Sequence, residues 1–305
     1  METPFVLVDA FTDAPYRGNT AAVVTTADGL TTDQMQRIAR ELGQTETCFV
    51  AQTPGLGLDW ALRWFTPTVE VALCGHATVA AFVALAAAGR LRWVGDTVHL
   101  RCGTRSAPID VWVERTSGVS PVVTLSVGVA ALELASDEAP EVARAVGIGA
   151  EAIDPTLPMA IDRGSDRLII PVARLDDLLG FVPNGAGMFA YGERSGHGYR
   201  RFTLVCRQTA DPARFVHIRH FAPANGIPED PVTGTAHAVA AVYLDQHGML
   251  PGGDRVVVSG EQGHALGRQG RVTVDVRRQA GRIRDVRIGG SGAIVARGTI
   301  DRPAR

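Results

Sequence analysis

The chain has 305 residues, a formal net charge of −2, 46% hydrophobic residues and 20% charged residues. This balance is typical of a globular protein with one large domain or two of ordinary size, and it excludes a mainly disordered chain. The small net charge also provides no basic excess that would hold a nucleic acid or an anionic membrane.

Lysine is absent, because all 30 residues counted as Lys or Arg are arginine. A Schiff-base nucleophile, a pyridoxal-phosphate anchor, a Walker lysine and a kinase lysine all need a titratable amine on a flexible stem. These chemistries are therefore excluded for this chain alone. We attribute the absence of lysine to a GC-rich genome that replaces lysine by arginine. The lysine-dependent chemistries are excluded whatever the cause.

The sequence features that would indicate export, membrane insertion or a zinc site are not found. METPFVLVDA has no signal-peptide pattern, and the longest apolar segment, residues 77–88, is too short to span a membrane. The four cysteines form no CxxC pair, and the eight histidines form no HExxH pair. We expect a cytoplasmic, reduced protein with no metal, no cofactor, and neither nucleic-acid nor membrane partners.

Most of the chain consists of short, β-branched segments between Gly, Pro or Asp turns, a pattern that favours antiparallel sheet. The first eight predicted strands are 5–9, 21–25, 46–52, 59–65, 97–101, 109–114, 122–127 and 167–172. Six more follow at 201–206, 215–221, 255–259, 271–276, 283–288 and 293–296. One amphipathic helix lies between the second and third strands, with a capping box of Thr31 and Gln34 at its start and Gly43 at its end.

Two further helices are predicted to be buried on every side. One begins after Cys74-Gly75 and reads HATVAAFVALAAAG, and the other begins after Thr233-Gly234 and reads TAHAVAAVYLDQHG. The first is apolar or small all round, and the second nearly so. Because a helix with no polar face must be covered on all sides, we expect sheet to surround each of them.

These two helices belong to an internal match that indicates a duplicated domain. Each is preceded by R-x-F-x-P, at residues 63–67 and 219–223, and by a loop that is three residues longer in the second copy. The predicted division is 1–118 and 119–305, with a linker near residues 116–121. Whether the last strand of the chain packs against the first half is left open.

The starts of the two helices predict a site for a small anion. Helix N-termini expose backbone N–H groups and carry partial positive charge, and Gly75 and Gly234 would let an anion approach closely. The sequence therefore predicts a substrate with a carboxylate. The titratable residues near these positions are Glu46, Cys74, His76, Glu229 and Asp230.

At these residues the chain resembles the PhzF-like isomerases of phenazine biosynthesis, which have the diaminopimelate epimerase fold. The resemblance extends over blocks from residue 9 to about residue 298. The blocks are DAFTDAPYRGNTAAVV (9–24), QTETCFV (44–50), RWFTPTVEVALCGHATVAA (63–81), FAPANGIPEDPVTGTAHAVAAVY (221–243) and EQGHALGRQGRVTV (261–274).

The resemblance implies an α+β fold of two pseudo-symmetric halves, each a curved antiparallel sheet or barrel around a buried helix, with the site between them. It implies a homodimer and a cofactor-independent isomerase that moves a proton and a double bond in a dihydro-hydroxyanthranilate-like acid, in secondary metabolism. The proton-carrying glutamate falls on Glu46, the histidine on His76 and the aspartate on Asp230. The family's serine falls on Thr235, whose extra methyl group leaves the substrate open.

Each of these residues also has a purely structural interpretation. Glu46 would then be a solvated or ion-paired residue, His76 a helix cap or core histidine, and Asp230 a turn residue before proline. Asn19 is either a turn residue or part of the substrate pocket. Glu229 is assigned a structural role. With the resemblance, Glu46, His76 and Asp230 are the predicted catalytic residues, and Asn19, Gly75, Gly234 and Thr235 are predicted to bind substrate.

Three other functions are considered. Racemases of this fold use two opposed cysteines; Cys74 resembles the first, but residues 231–234 contain no second, so a racemase would pair Glu46 with another base. Hydrolysis by Cys74, His76 and Asp230 is disfavoured because residues two apart at a helix start should point to different sides. A small-acid binding protein that lost the chemistry is the remaining alternative.

Overall fold

The computed structural model describes residues 2–53, 57–117 and 120–304. Its first elements are β1 (Glu2–Ala10), β2 (Asn19–Val24), α1 (Thr32–Leu42), β3 (Thr47–Ala51), β4 (Trp60–Phe65), β5 (Glu70–Val71), α2 (Gly75–Ala87), β6 (Thr97–Gly103), β7 (Ile109–Glu114) and β8 (Val122–Ser126). They continue with β9 (Leu132–Leu134), α3 (Ala139–Val146), β10 (Ala160–Asp162), β11 (Arg167–Val172), α4 (Leu175–Gly180), α5 (Gly185–Arg194), β12 (Arg201–Cys206) and β13 (His217–Ala222). The last are β14 (Ile227–Asp230), α6 (Gly234–Gln246), β15 (Arg255–Gln262), β16 (Gly270–Gln279), β17 (Arg282–Gly290) and β18 (Gly292–Asp301).

The chain divides into two compact units, the first of residues 1–126 with 288–305 and the second of residues 127–287. The C-terminal strand β18 belongs to the first unit and pairs antiparallel with β1 along its whole length. The division predicted from sequence, between residues 118 and 119, lies outside the described residues.

In the first unit, sheet surrounds the apolar helix α2. The helix contacts β1, β2, β3, β8 and β18, and every residue from Gly75 to Leu85 is buried. The prediction of a helix without a solvent face is therefore confirmed. The amphipathic helix α1 is also confirmed, since Thr31 and Gln34 form the capping box and Gly43 adopts the left-handed conformation at its end.

In the second unit, α6 has the same character and packs against β13 and β16. Thr235 is its half-buried exception in the first turn, and residues 236–244 are all buried. A separate apolar cluster lies between α3 and α5, where Val142 and Val146 pack with Met188 and Tyr191. These two helices were not predicted from the sequence.

The strand pairing repeats between the units and confirms the two pseudo-symmetric halves. In the first, β1–β2, β3–β4, β4–β5 and β6–β7 are antiparallel, whereas β2–β3 and β4–β6 are parallel. In the second, β10–β11, β12–β13, β13–β14 and β15–β16 are antiparallel, whereas β11–β12 and β13–β15 are parallel. The sheets are thus mixed, whereas the sequence predicted antiparallel sheets. The difference arises because helices connect the strands of each parallel pair and let the chain return in the same direction.

The R-x-F-x-P motif has the same structural role in both units. Arg63 on β4 makes a two-point ion pair with Glu70 on β5, at 2.7 and 2.8 Å. Arg219 on β13 makes the matching pair with Glu229 on β14, at 2.8 and 2.7 Å. Each pair ties together the two strands that lead into the buried helix. Glu229 therefore has the structural role that the sequence assigned to it.

No helix in the described part of the chain is long and apolar enough to cross a membrane. The side chains of Cys48, Cys74, Cys102 and Cys206 are all buried, and none of the four forms a disulfide bond in the described part of the chain.

Candidate active site

Glu46 and His76 are in contact in the first unit. Glu46 lies immediately before β3, and His76 is the second residue of α2. One carboxylate oxygen of Glu46, Oε2, is 3.4 Å from His76 Nε2, and the two side chains are only 12% and 7% exposed. The structure therefore brings together two of the three predicted catalytic residues.

Burial raises the pKa of the Glu46 carboxyl above its usual value, and the neighbouring side chain of Thr45 opposes this to a smaller extent. A carboxyl group whose pKa is moved toward neutrality exchanges a proton more readily in both directions at physiological pH. Glu46 is thus suited to accept a proton and to return it.

Asn19 fixes the orientation of the His76 ring. It is the first residue of β2, is 2% exposed, and places its amide nitrogen 3.3 Å from His76 Nδ1. An amide nitrogen can only donate, so in this arrangement Nδ1 accepts and the ring proton is on Nε2, which faces Glu46. The predicted substrate-binding residue therefore contacts the predicted catalytic histidine.

The Cys74 thiol also contacts His76, with Sγ 3.4 Å from Nδ1. The expectation that Cys74 and His76 point to different sides is therefore wrong. Cys74 is the N-cap of α2 and has extended backbone angles, φ −137° and ψ 113°. The angular spacing of side chains along a helix does not apply to a residue outside it.

A side chain at Gly75 would crowd the start of α2. A Cβ atom at this position would lie 2.9 Å from Ile288 Cδ1, which is fully buried in the same unit. The cap of α2 has no side-chain hydrogen bond from Cys74, and the cap of α6 has none from Thr233. The first turns of both helices thus keep backbone N–H groups that no cap side chain satisfies, as an anion site requires.

In the second unit, a hydrogen-bond network holds Asp230 at the end of β14. Thr233 Oγ1 donates to Asp230 Oδ2 at 2.5 Å, and the amide of Gln262 donates to the Asp230 carbonyl at 2.6 Å. Gln262 also accepts a hydrogen bond from the Thr233 backbone at 2.8 Å. Asp230 is 9% exposed, so its carboxylate has a fixed position near the start of α6.

Arg167 is a buried cation beside the start of α6 that the sequence analysis did not identify. It is 2% exposed, and its guanidinium donates to the carbonyl and hydroxyl of Thr235 at 3.2 and 3.4 Å. Burial lowers its pKa to about 10, so it still carries a charge at neutral pH. An arginine that begins an apolar strand gives no sequence signal that separates it from an exposed one.

The predicted residues thus form two groups, one in each unit. Glu46, His76, Asn19 and Gly75 cluster in the first unit together with Cys74. Asp230, Gly234 and Thr235 lie in the second unit, on β14 and at the start of α6. That the two groups act on one substrate remains a prediction.

Two side-chain clusters in the described residues could hold a metal ion. In the first, one donor atom each of Glu46, Cys74 and His76 lies within 4.8 Å of the others. In the second, formed by His217, Glu261 and His264, the Glu261 carboxylate already accepts hydrogen bonds from His217 Nδ1 at 2.9 Å and the Ala210 amide at 2.5 Å. Each cluster combines donors from separate segments of the chain, so no metal-binding sequence motif indicated them.

The comparisons with known proteins agree with this architecture. Residues 8–298 match the model of the phenazine biosynthesis-like (PhzC-PhzF) family. An uncharacterised isomerase of Deinococcus radiodurans is 34% identical, over 97% of this chain and 94% of its own. The trans-2,3-dihydro-3-hydroxyanthranilate isomerase of Pseudomonas fluorescens is 30% identical, over 97% of this chain and 98% of its own.

Solved structures extend the comparison. The crystal structure of a PhzF family protein from Bacillus anthracis superposes with a TM-score of 0.88 at 28% identity, over 98% of this chain and 99% of that one. A hydroxyproline epimerase of Agrobacterium vitis has the same fold, with a TM-score of 0.61 at 16% identity, over 98% and 92% of the two chains. The chain is therefore an isomerase of the phenazine biosynthesis-like family, with the fold shared by PhzF proteins and proline epimerases.

Proposed function

We propose that this isomerase moves a proton, and with it a double bond, within a small unsaturated carboxylic or amino acid, with Glu46 as the proton carrier. The observation that carries the proposal is the buried Glu46 carboxyl, with its raised pKa, 3.4 Å from His76 Nε2. The relative named trans-2,3-dihydro-3-hydroxyanthranilate isomerase supports a dihydro-hydroxyanthranilate-like substrate.

In the proposed reaction the Glu46 carboxylate removes a proton from a substrate carbon next to the double bond. The electron pair left on carbon is delocalised over the conjugated system and its carboxylate. Glu46 then returns the proton to a second carbon of the same system, so the double bond moves and no atom is gained or lost. His76 Nε2–H donates to Glu46 when the carboxylate is charged, and so orients it between the two transfers.

A single carrier predicts that the proton leaves and returns on one face of the substrate. A racemase of this fold would instead need two bases on opposite faces of one carbon. Each base must approach the carbon to about 3–3.5 Å, so two opposed bases lie further apart than the donor atoms of Glu46 and Cys74, which are within 4.8 Å. This distance argues against Glu46 and Cys74 as an opposed pair.

The remaining predicted residues complete the proposal. Asp230 would bind an amino or hydroxyl group of the substrate, and the starts of α2 and α6, with Gly75, Gly234 and Thr235, would bind its carboxylate. Asn19 would act through His76. A cytoplasmic homodimer without metal or cofactor, in secondary metabolism, is part of the same proposal.

The test compares the wild-type protein with Glu46→Gln on a panel of unsaturated cyclic amino acids that includes a dihydro-hydroxyanthranilate. Glu41→Gln, at an exposed position of α1, is the matched control. Ultraviolet spectra report the position of the double bond. We expect a spectral shift with the wild type and Glu41→Gln, and none with Glu46→Gln.

Other outcomes would replace the proposal. Inversion of a stereocentre without a spectral shift identifies a racemase. Saturable binding of one of the acids, with no chemical change in any, identifies a small-acid binding protein.

A further inference from the structure

The side chains of Cys74, His76 and Glu46 present three different metal-binding atoms to one another. Sγ of Cys74 lies 4.0 Å from Nε2 of His76, and Nε2 lies 3.4 Å from Oε2 of Glu46. Thiolate, imidazole and carboxylate together are a donor set typical of Zn²⁺. The three residues come from two separate segments, the turn before β3 and the start of α2.

Two of the three distances between these atoms lie close to those of a tetrahedral ion, and the third, between Sγ of Cys74 and the Glu46 carboxylate, is within 4.8 Å. With Zn–S, Zn–N and Zn–O bonds of about 2.3, 2.05 and 2.1 Å, tetrahedral angles require an S···N distance of about 3.6 Å and an N···O distance of about 3.4 Å. The observed N···O distance already has this value, and the S···N distance needs to shorten by a few tenths of an ångström. Such an adjustment is within the freedom of the χ angles of three side chains.

An outer partner for the histidine is also present. When Nε2 of a histidine binds a metal, the ring proton is on Nδ1, which donates it to a neighbouring acceptor. The Asn19 amide lies 3.3 Å from His76 Nδ1 and is 2% exposed, and with its oxygen turned toward the ring in place of its nitrogen it is such an acceptor. Its position is independent of the three donors, because it belongs to β2.

We propose that Cys74, His76 and Glu46 bind one thiophilic divalent cation of the Zn²⁺ class. On binding, Cys74 loses its thiol proton to the buffer and the sulfur–metal bond forms. Mg²⁺ and Ca²⁺ prefer oxygen ligands and do not compete. The cation occupies Nε2 of His76 and an oxygen of Glu46, so it inhibits proton transfer; this consequence rests on the function proposed above.

Cobalt is the probe, because a thiolate–Co²⁺ bond gives a near-ultraviolet charge-transfer band that requires no substrate. The full reduced chain is titrated with Co²⁺, and Zn²⁺ is then added. We expect one equivalent of Co²⁺ to produce the band and Zn²⁺ to abolish it, whereas Mg²⁺ leaves it unchanged. Cys74→Ser should remove the band, and loss of a direct ligand should weaken binding by more than about 100-fold, beyond the usual effect of an outer partner.

Two controls separate this site from others. Cys206→Ala changes another buried thiol and should keep the band. His264→Gln disables the second cluster, which contains no sulfur, and should also keep it. If Cys74→Ser does not fold, as judged by circular dichroism, His76→Gln takes its place and should weaken the band in the same way.

The proposal is overturned if the wild type shows no band, or if the band persists in Cys74→Ser at unchanged affinity. Because the band is read without substrate, these results do not depend on the isomerase assay. An inactive protein with the band refutes the proposed function alone, and an active protein without it refutes the metal site alone.

Discussion

Replacing Arg219 by methionine leaves the carboxylate of Glu229 buried without its partner. In the folded protein the two side chains are only 4% and 11% exposed, and they share two hydrogen bonds of 2.7 and 2.8 Å. Arg219 also donates to the carbonyls of Leu178 and Phe181, at 3.0 and 3.2 Å. Removal of one partner from a buried pair costs about 3–5 kcal/mol of unfolding free energy.

The duplicated pair in the first unit provides the matched control. Arg63 is 30% exposed, and its partner Glu70 also lies 3.4 Å from Arg105. After Arg63→Met, the Glu70 side chain is still only 9% exposed, but it keeps Arg105 as a second cation at 3.4 Å, so we expect a smaller loss of about 1 kcal/mol. Both variants conserve the long unbranched stem of the side chain.

The assay is urea unfolding of both variants, followed by circular dichroism, with free energies compared at one urea concentration. We expect Arg219→Met to lose at least about 2 kcal/mol more than Arg63→Met. Equal losses, or a larger loss for Arg63→Met, would refute the reasoning that a buried carboxylate left without any cation sets the cost.

Three further predictions concern the residues around α2. Burial raises the pKa of Glu46 in the folded state. The protonated carboxyl therefore stabilises the folded protein at acid pH, and this contribution is lost as the pH rises through the raised pKa. Glu46→Gln should therefore unfold at a higher temperature than the wild type at alkaline pH, with the difference shrinking toward acid pH; a constant difference would contradict this. Gly75→Ala should lower the free energy of unfolding in urea by about 1–2 kcal/mol, because its new methyl group meets Ile288. Gly185→Ala is the control, since its methyl group would have no atom within 4 Å, and it should cause no such loss. Cys74→Ala should lower the isomerisation rate by less than about tenfold, because general acid–base transfer by Glu46, which supplies about 10²–10⁴-fold, is retained. A loss as large as that of Glu46→Gln would show that the thiol takes part in the reaction.

The sequence predicted those elements whose signals are local. The capping box of α1 and the lack of a polar face on α2 and on most of α6 follow from side chains a few residues apart, and both features are present. The short strands β5 and β9 contain only two and three residues, and such lengths give no periodicity to detect. The parallel pairs β2–β3 and β11–β12 depend on which strand the chain returns to after a helix, which local patterns do not specify.

The candidate site shows the same limit. The contact of Glu46 with His76 joins residues 30 positions apart, and the resemblance to a family indicated it where spacing could not. The Cys74–His76 contact was missed because helical geometry was applied to a cap residue with extended angles. Arg167 was missed because its position beside Thr235 depends on the pairing of distant strands.

The most direct test of the central claim follows isomerisation together with deuterium at the second carbon, to which Glu46 is proposed to return the proton. Wild type, Glu46→Gln and Glu41→Gln are incubated in heavy water with a substrate found in the panel, and mass spectrometry measures deuterium uptake together with the spectral shift. The account predicts that Glu46→Gln still binds the acid but loses isomerisation, and whatever deuterium uptake accompanies it in the wild type, by at least about 10²-fold, the usual contribution of a general acid–base group, while Glu41→Gln matches the wild type. Deuterium uptake and isomerisation within tenfold of wild type in Glu46→Gln would contradict it.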